Sequence, residues 1–519
     1  MTTKRLFFFS LPPLLLLGLS ACVTNLDELG GIEDARFSAA YAVPLIDSEV
    51  ELRELLGDVA EEVDFFSVDP DGLIRFRYSG DLPTIGSEVI FRRLENIGRG
   101  IVIPIGRERQ GAPFSGTDDI SIEELRVSGG IFFYSFPNPY RQPVNVSLTI
   151  PQATLNGEPF RVVGSLPARR GNQAAPVLEN QSDPIDLTNY VISVPRDSLY
   201  LNYSITAEDG TPLAVPEETV TAFTNLKFEF FRGYLGQEIY PGGRDTVRIN
   251  FFDNYLEGDI LFREPTLTMR LYNTFGVPAR ALVRTLNVIN RDGNVLPVQG
   301  AGVRDGFDFA FPTAIGDTAV TEFVFTTANS NIAEVLSARP VAVDYEINAL
   351  INPDGDTSLV GFVTDSSAYR AEVDVDLPLL GNARDFTVRD TFAIDLNRRF
   401  EDITGVEFRL TTRNGLPLDV ELNGTFLDSL GNPLADLTDG EFVLLAAAEV
   451  DAEGNATGTT DNTRDLVFTD ERLEAIRAAD RVVITLGIST AAGGVPLVRL
   501  TDRQSLQVLL GAIVRVSQP

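Results

Sequence analysis

Short runs in which apolar and polar residues alternate recur along most of the chain. Leu73-Ile-Arg-Phe-Arg-Tyr78, Val144-Asn-Val-Ser-Leu-Thr-Ile150, Val343-Asp-Tyr-Glu-Ile347 and Val482-Val-Ile-Thr-Leu486 are examples. A period of two sends successive side chains to opposite faces, as in a strand with one face buried. Asp69-Pro-Asp-Gly72, Asn290-Arg-Asp-Gly293 and Asn352-Pro-Asp-Gly355 are turn clusters that separate such runs. Many short strands punctuated in this way predict an all-β chain of sandwiches or barrels. Helix is predicted in only a few places. Residues 50–63 form one candidate, and short helices are expected at 183–187, 331–337 and 469–481. Asp183-Pro184 opens the second of these with a cap and a proline at the first helical position.

The strand pattern repeats on a larger scale. Phe133–Gly157, Leu271–Gly293 and Leu410–Gly431 each run from a strand through an Asn-containing turn, a proline and a second strand to a glycine turn. Pro143, Pro278 and Pro417 are almost evenly spaced along the chain, and Gly157, Gly293 and Gly431 follow them at nearly equal intervals. Tyr203-Ser-Ile205, Tyr345-Glu-Ile347 and Leu486-Gly-Ile488 occupy matching places further on. The glycine turns Asp209-Gly210, Asp354-Gly355 and Gly493-Gly494 follow them. Arg244-Asp-Thr246 and Arg389-Asp-Thr391 recur as well, each before an alternating strand. Several anchors in one order predict three tandem related β-sandwich units with short helices, at 37–220, 221–365 and 366–519. The first is longer, and its extra material is expected as an insertion at about 46–118, with a loop at 107–116. An insertion peculiar to one unit is where a specific activity is first sought.

Composition narrows the chemistry. The chain has no histidine, no tryptophan and one cysteine among 519 residues. Without histidine, Ser-His-Asp and Cys-His mechanisms and histidine-ligated metals are excluded. Missing tryptophan weakens a sugar-stacking surface. The 42 basic residues face 74 acidic ones, a formal net charge of −32. That balance disfavours nucleic-acid binding and direct adhesion to anionic lipid. Its plain consequence is solubility and self-repulsion.

The first 21 residues break the pattern. Lys4 and Arg5 precede an apolar run from Leu6 to Leu19, and Ser20 and Ala21 lead to Cys22. A basic start, a short apolar stretch and small residues at a cut site make a secretory signal. The run from Leu6 to Leu19 falls short of the roughly 20 residues that span a bilayer as a helix. Leu19-Ser20-Ala21-Cys22 resembles the lipobox of bacterial lipoproteins. That resemblance implies cleavage between Ala21 and Cys22, acylation of the Cys22 thiol and a lipidated tether over 22–36. Loss of residues 1–21 removes two of the 42 basic residues and no acid, leaving a net charge near −34.

Two further resemblances bear on the body of the chain. The repeated motif has Asn138-Pro139 in its first copy and Asn414-Gly415 in its third. Over the span of each copy it is similar to the strand–Asn-Pro–strand core of the late-embryogenesis-abundant water-stress domain. The second and third copies lack the Asn-Pro pair. This likeness implies water-stress-domain-like sandwiches, beside an immunoglobulin-like alternative. The lipobox, the all-β body and an opening at 41–57 together resemble large multi-domain outer-membrane lipoproteins of Bacteroidota. Asp-Ser/Thr-aliphatic triplets at Ser198, Thr246, Thr318 and Ser429 resemble the O-glycosylation acceptor pattern of that group.

The remaining candidates are weaker. Acidic turns at Asp69/Asp71, Asp354/Asp356 and Asp451/Glu453 lack the full ligand set of a calcium loop, so they read first as solvated turns. Asp118-Asp119 and Glu123-Glu124 read as surface charge, and the aromatic-rich run 130–137 as core. No metal ligand set, cofactor site or catalytic residue is assigned. The expectation is a lipid-anchored, non-catalytic scaffold or interaction protein of the cell envelope, at the outer membrane with its face open. It would meet the membrane through the lipid on Cys22 and hold a protein or polysaccharide partner. A glycan-binding accessory lipoprotein and a carboxylate-dependent hydrolase are the alternatives.

Overall fold

Three times along the chain a strand ends on or just before an asparagine with no solvent exposure, at Asn138, Asn273 and Asn414. The computed structural model describes residues 38–52, 66–82, 84–97, 100–113, 120–194, 198–250, 252, 255–393, 403–438, 440 and 442–517. The signal peptide 1–21, the tether 22–36, Cys22, Asp118-Asp119 and most of the expected helix at 50–63 lie outside them. The described chain is nearly all β, built from antiparallel sheets packed face to face. Among the described residues no helix is long and apolar enough to cross a membrane.

The strands follow a recurring scheme. The leading strands are Ser121–Pro137, Thr266–Asn273 and Ile403–Asn414. After the asparagine come the following strands, Val144–Leu155, Ala279–Asn290 and Leu418–Leu427. Return strands Ser198–Ala207, Pro340–Ile351 and Arg481–Thr490 pair with these. The registers agree at the residues singled out above: Tyr203 lies opposite Leu148, Tyr345 opposite Leu286 and Leu486 opposite Leu422. Closing strands Val220–Tyr234, Ala368–Pro378 and Ser505–Ser517 pair back onto the leading strands. Burial obeys the period of two, most cleanly in Thr266–Asn273, where every second residue is buried. In the first copy Val191–Ser193 pairs with both the leading and the following strand, which joins the two layers into one 11-stranded sheet.

The asparagine explains why the turn recurs. Asn138 Oδ1 accepts the Tyr140 N–H at 3.0 Å, while Nδ2 donates to the Gln142 and Pro167 carbonyls at 3.0 and 2.8 Å. Asn273 Oδ1 accepts from Phe275, and its amide donates to Ala310. Asn414 accepts from Leu416 and donates to Leu418 and Ala446. Each side chain replaces ladder bonds that a tight turn between layers leaves unmade, where an orphaned group would cost about 1–3 kcal/mol. The Arg-Asp-Thr tripeptides also share one geometry. The Thr246 and Thr391 N–H groups donate to Asp245 and Asp390 at 2.7 and 2.6 Å, on strands that flank return strands.

The expected insertion at about 46–118 has a different role. Ser38–Glu51 pairs with the closing strand Ser505–Ser517 over almost its whole length. Ile74–Asp81 pairs with the closing strand Ala368–Pro378. Ile101–Pro104 pairs with the closing strand Val220–Tyr234, and Arg109–Pro113 with the return strand Ser198–Ala207. This N-terminal strap therefore supplies an edge strand to each sheet pair in turn, the last pair first.

Several local expectations are corrected. Val50 and Glu51 are strand, opposite Leu506 and Ser505, rather than the start of a helix, because a ready partner edge extends the ladder. Residues 109–113 are strand within the expected loop. Asp183–Leu187 is not helical; Ile185–Asp186 pairs with Ile131–Phe132, and the Leu187 N–H donates to Gly130 O at 2.9 Å. So short a segment nucleates a helix poorly, and proline suits an extended edge equally well. Helices do form at Ile332–Ser337 and Asp470–Arg477. An unforeseen helix, Glu88–Ile97, buries Ile90, Phe91 and Leu94 on one face.

One continuous core runs through the first two sheet pairs, from Phe76 to Phe386. Phe132 anchors it, with Phe160 and Phe223 edge-on at 4.7 and 5.0 Å. Leu410, Leu422, Phe426, Leu466, Phe468 and Leu510 belong to a second core in the last pair. Leu52 and Ile74 of the strap meet Leu416 in a third, small cluster.

Candidate functional site

A narrow cleft lies at the middle sheet pair. Leu271 and Tyr369 line it from the leading and closing strands, Ile347 and Tyr240 from the opposite layer, and Leu82 and Phe309 at its margins. Its volume is ≈ 40 Å³, room for roughly three water molecules. Tyr369 packs against Phe275 at 4.3 Å and meets Phe309 edge-on at 5.4 Å. Its ring borders the cleft, while its hydroxyl is buried without a hydrogen-bond partner among the described residues. Burial holds that phenol well above its ordinary pKa, because the phenolate would lose its hydration. The group is thus a donor and not a base.

Tyr240 stands beside it. Its hydroxyl donates to Glu238 Oε2 at 3.4 Å, and Glu238 is ion-paired with Arg93 from the Glu88–Ile97 helix. Burial, and then the Glu238 charge, raise the Tyr240 pKa. Among the described residues no carboxylate lines the cleft, so its walls bring no paired acid and base together for hydrolysis. The arrangement suits ordered water or a small apolar group that accepts one hydrogen bond.

Several carboxylates elsewhere are engaged by arginine. Arg270 lies 3.3 Å from Glu322, 3.4 Å from Glu372 and 3.1 Å from Asp374 on the exposed face of its sheet. Tyr272 donates to Glu372 at 2.9 Å, and Arg370 stacks 4.2 Å above the Tyr272 ring. Arg75 joins Asp69 and Asp376 at 2.6 and 3.2 Å. Exposed pairs of this kind contribute about 0–1 kcal/mol each, so they organise the face more than they stabilise it.

The acidic turns are held by backbone. Asp451 Oδ1 accepts the Glu453 and Asn455 N–H groups at 3.1 and 2.8 Å. Asp356 accepts from the Ser358 N–H and hydroxyl at 2.9 and 2.6 Å. Asp71 accepts from Leu73 and is ion-paired with Arg499. These bonds favour the charged form and lower all three carboxyl pKa values. Among the described residues no three acids come together as a metal site would require.

The other predicted positions are scattered. Ser198 opens a return strand and is half-buried, while Thr246, Thr318 and Ser429 are exposed on different elements. Glu123 pairs with Arg232 at 3.6 Å and Glu124 with Arg126 at 3.2 Å, as surface charge would. Phe132 and Phe136 of the aromatic run are buried with no exposure. Tyr240 and Tyr369 drew no attention in the sequence, since a core tyrosine and a cleft tyrosine share one local pattern.

No family model matches the chain. No curated protein matches it either. Among solved structures it is similar to a Parabacteroides distasonis protein assigned as secreted, at 11% identity and a TM-score of 0.25, covering 91% of this chain and 99% of that one. A structure of infectious bursal disease virus, Gx strain, matches at 9% identity and a TM-score of 0.14, covering 88% of this chain and 82% of that one. A chain of the lipid-containing bacteriophage PM2 matches at 12% identity and a TM-score of 0.11, covering 80% and 100%. At these TM-scores none of the three bears on what this chain does.

Proposed function

We propose that this chain is a lipid-anchored, non-catalytic scaffold or interaction protein of the cell envelope, held at the outer membrane by acylation of Cys22. The observation that supports this reading is the path of the strap. A short way past Cys22 the chain enters a strand, Ser38–Glu51, that pairs with the closing strand Ser505–Ser517. The strap then adds an edge to each further sheet pair. Tension on an anchor at Cys22 would be shared by ladders across the whole body, which suits a tethered structural module. Two or three acyl chains, at about 0.8 kcal/mol per buried methylene, hold such a module firmly.

The test is Cys22→Ser expressed beside the parent in a bacterial host. The parent is expected to take up labelled palmitate and fractionate with membranes. The variant should do neither, yet keep the parent's thermal unfolding profile. A variant that still fractionates with lipid, or a parent that takes up no palmitate, overturns the reading. Turnover of a glycan or ester substrate by the purified parent would overturn its non-catalytic part.

A further inference from the structure

Leu430 is 85% exposed, more than any other large apolar side chain described. It is held out rigidly. Asp428 Oδ1 accepts the Leu430 and Asn432 N–H groups at 2.9 and 2.8 Å, and Gly431 turns the chain with φ at 90°. The same turn occurs at Asp451-Ala-Glu-Gly-Asn455, with Asp451 accepting from Glu453 and Asn455. Asn290-Arg-Asp-Gly-Asn294 is a third version, where Asn290 accepts from Asn294 at 2.8 Å. The tip residue is Asp292 or Glu453 in those two turns and leucine only here. A polar tip costs nothing in water, so the leucine calls for a different neighbour.

Its place in the fold says which. Ser38, where the chain arrives from Cys22, lies opposite Ser517. Val516 lies opposite Ile403, whose carbonyl accepts from Arg477 of the Asp470–Arg477 helix. Just beyond that helix, the Asp480 N–H donates to Leu427 O at 3.0 Å, at the base of the Leu430 turn. Phe392, opposite Val482, is exposed at the same end. Val467, near the end of the neighbouring strand, is exposed there too. Of the acids at this end, Glu474 is paired with Arg477, Glu407 with Arg515, and Asp428 is bonded within its turn, while Asp480 is exposed. The Glu453 turn stands at the opposite end, near Leu497 and Leu416.

We infer that the Leu430 turn is the membrane-facing tip of the molecule, seated shallowly in the bilayer interface beside the lipid anchor. This rests on the anchored reading above and adds an orientation to it. The last sheet pair stands on the membrane, and the first pair, with Ser121–Pro137, points away. The tip adds little affinity beside the acyl chains; it fixes which end faces lipid.

The missing tryptophan makes the test clean. Lipidated full-length chain carrying Leu430→Trp or Glu453→Trp is reconstituted into phosphatidylethanolamine–phosphatidylglycerol vesicles, with and without brominated acyl chains. Leu430→Trp is expected to emit at shorter wavelength on the vesicles and to lose much of its intensity with brominated lipid. Glu453→Trp should change in neither respect. If the chain floats with the vesicles but Leu430→Trp is unshifted and unquenched, the orientation is wrong while the anchor stands. Equal quenching at both sites also overturns it. A chain that does not float at all removes the anchor and, with it, this inference.

Discussion

Asn138 and Asn414 make the same three hydrogen bonds in two different sheet pairs. Each accepts an N–H two residues on and donates both amide hydrogens, one to the carbonyl four residues on and one to a carbonyl just past a neighbouring strand. Neither has any solvent exposure. The turn between layers is thus built from one side chain, used twice in full and once, at Asn273, with a single donated bond.

Replacing Asn414 by alanine should destabilise the last sheet pair by about 3 kcal/mol, since the stranded carbonyls and N–H cannot reach water. Asn414→Asp should be worse at neutral pH, because a buried carboxylate cannot donate and resists ionisation. The folded-state pKa of that aspartate would be raised, so its neutral form would stabilise the fold at low pH and lose that effect as pH rises. Urea midpoints measured at several pH values should show the gap between the two variants narrowing on acidification. A gap that widens would overturn this account of the turn.

Ile74 has no exposure and packs with Leu52 and Leu416 where the strap crosses from the last sheet pair to the middle one. Ile74→Ala is expected to cost about 3 kcal/mol as a core truncation. The loss should appear locally as well. Hydrogen exchange in Ser505–Ser517 should quicken more than exchange in Val144–Leu155, whose pairing strands lie outside the strap. Uniform quickening across both strands would count against a strap that secures the C-terminal edge.

High pH should unfold the protein. Burial pushes the Tyr203 phenol, which lies against Thr219, up to about 12, and raises Tyr345 and Tyr369 as well. The ordinary value is near 10. Their folded-state values exceed the unfolded ones, so the neutral forms stabilise the fold fully below pH ~10. As pH rises above that, the unfolded chain sheds protons that the folded one keeps, and stability falls by about 1.4 kcal/mol per unit for each such group. Tyrosinate absorbance, uncluttered by tryptophan, should therefore rise in two stages, with the second coincident with loss of β-sheet signal. A single gradual rise with the sheet signal intact would contradict this.

Much of the fold was legible because its punctuation is local. The Asn, Pro and Gly positions that recur in the sequence are the places where the backbone turns, and those residue types supply turn bonds or positive φ, as at Asn156 and Gly157. Alternation located strands such as Ile74–Asp81 and Pro340–Ile351 for the same reason. The strap was not legible. Nothing within Ser38–Glu51 names Ser505–Ser517 as its partner, because pairing along an edge depends on what lies beside it in space. Asp183-Pro184 misled because a capping residue and a proline suit a strand edge as readily as a helix start. The cleft stayed hidden because Tyr240 and Tyr369 sit in ordinary strand patterns, and only the packing of one layer on another leaves the Tyr369 hydroxyl without a partner among the described residues.

The pairing of Ser38–Glu51 with Ser505–Ser517 also sets an order of assembly. The first described strand to be made must wait for the last of them, since its partner is Ser505–Ser517. Contacts so distant in sequence form late, after local hairpins such as Val144–Leu155 with Glu158–Leu166. The earlier sheet pairs can collapse in the meantime, but the strap cannot be fastened at its N-terminal end until Ser505–Ser517 has been made. A chain broken off before Ser505 would keep most of its strands and still leave Ser38–Glu51 without its partner, so closing that ladder checks that synthesis has passed Ser517.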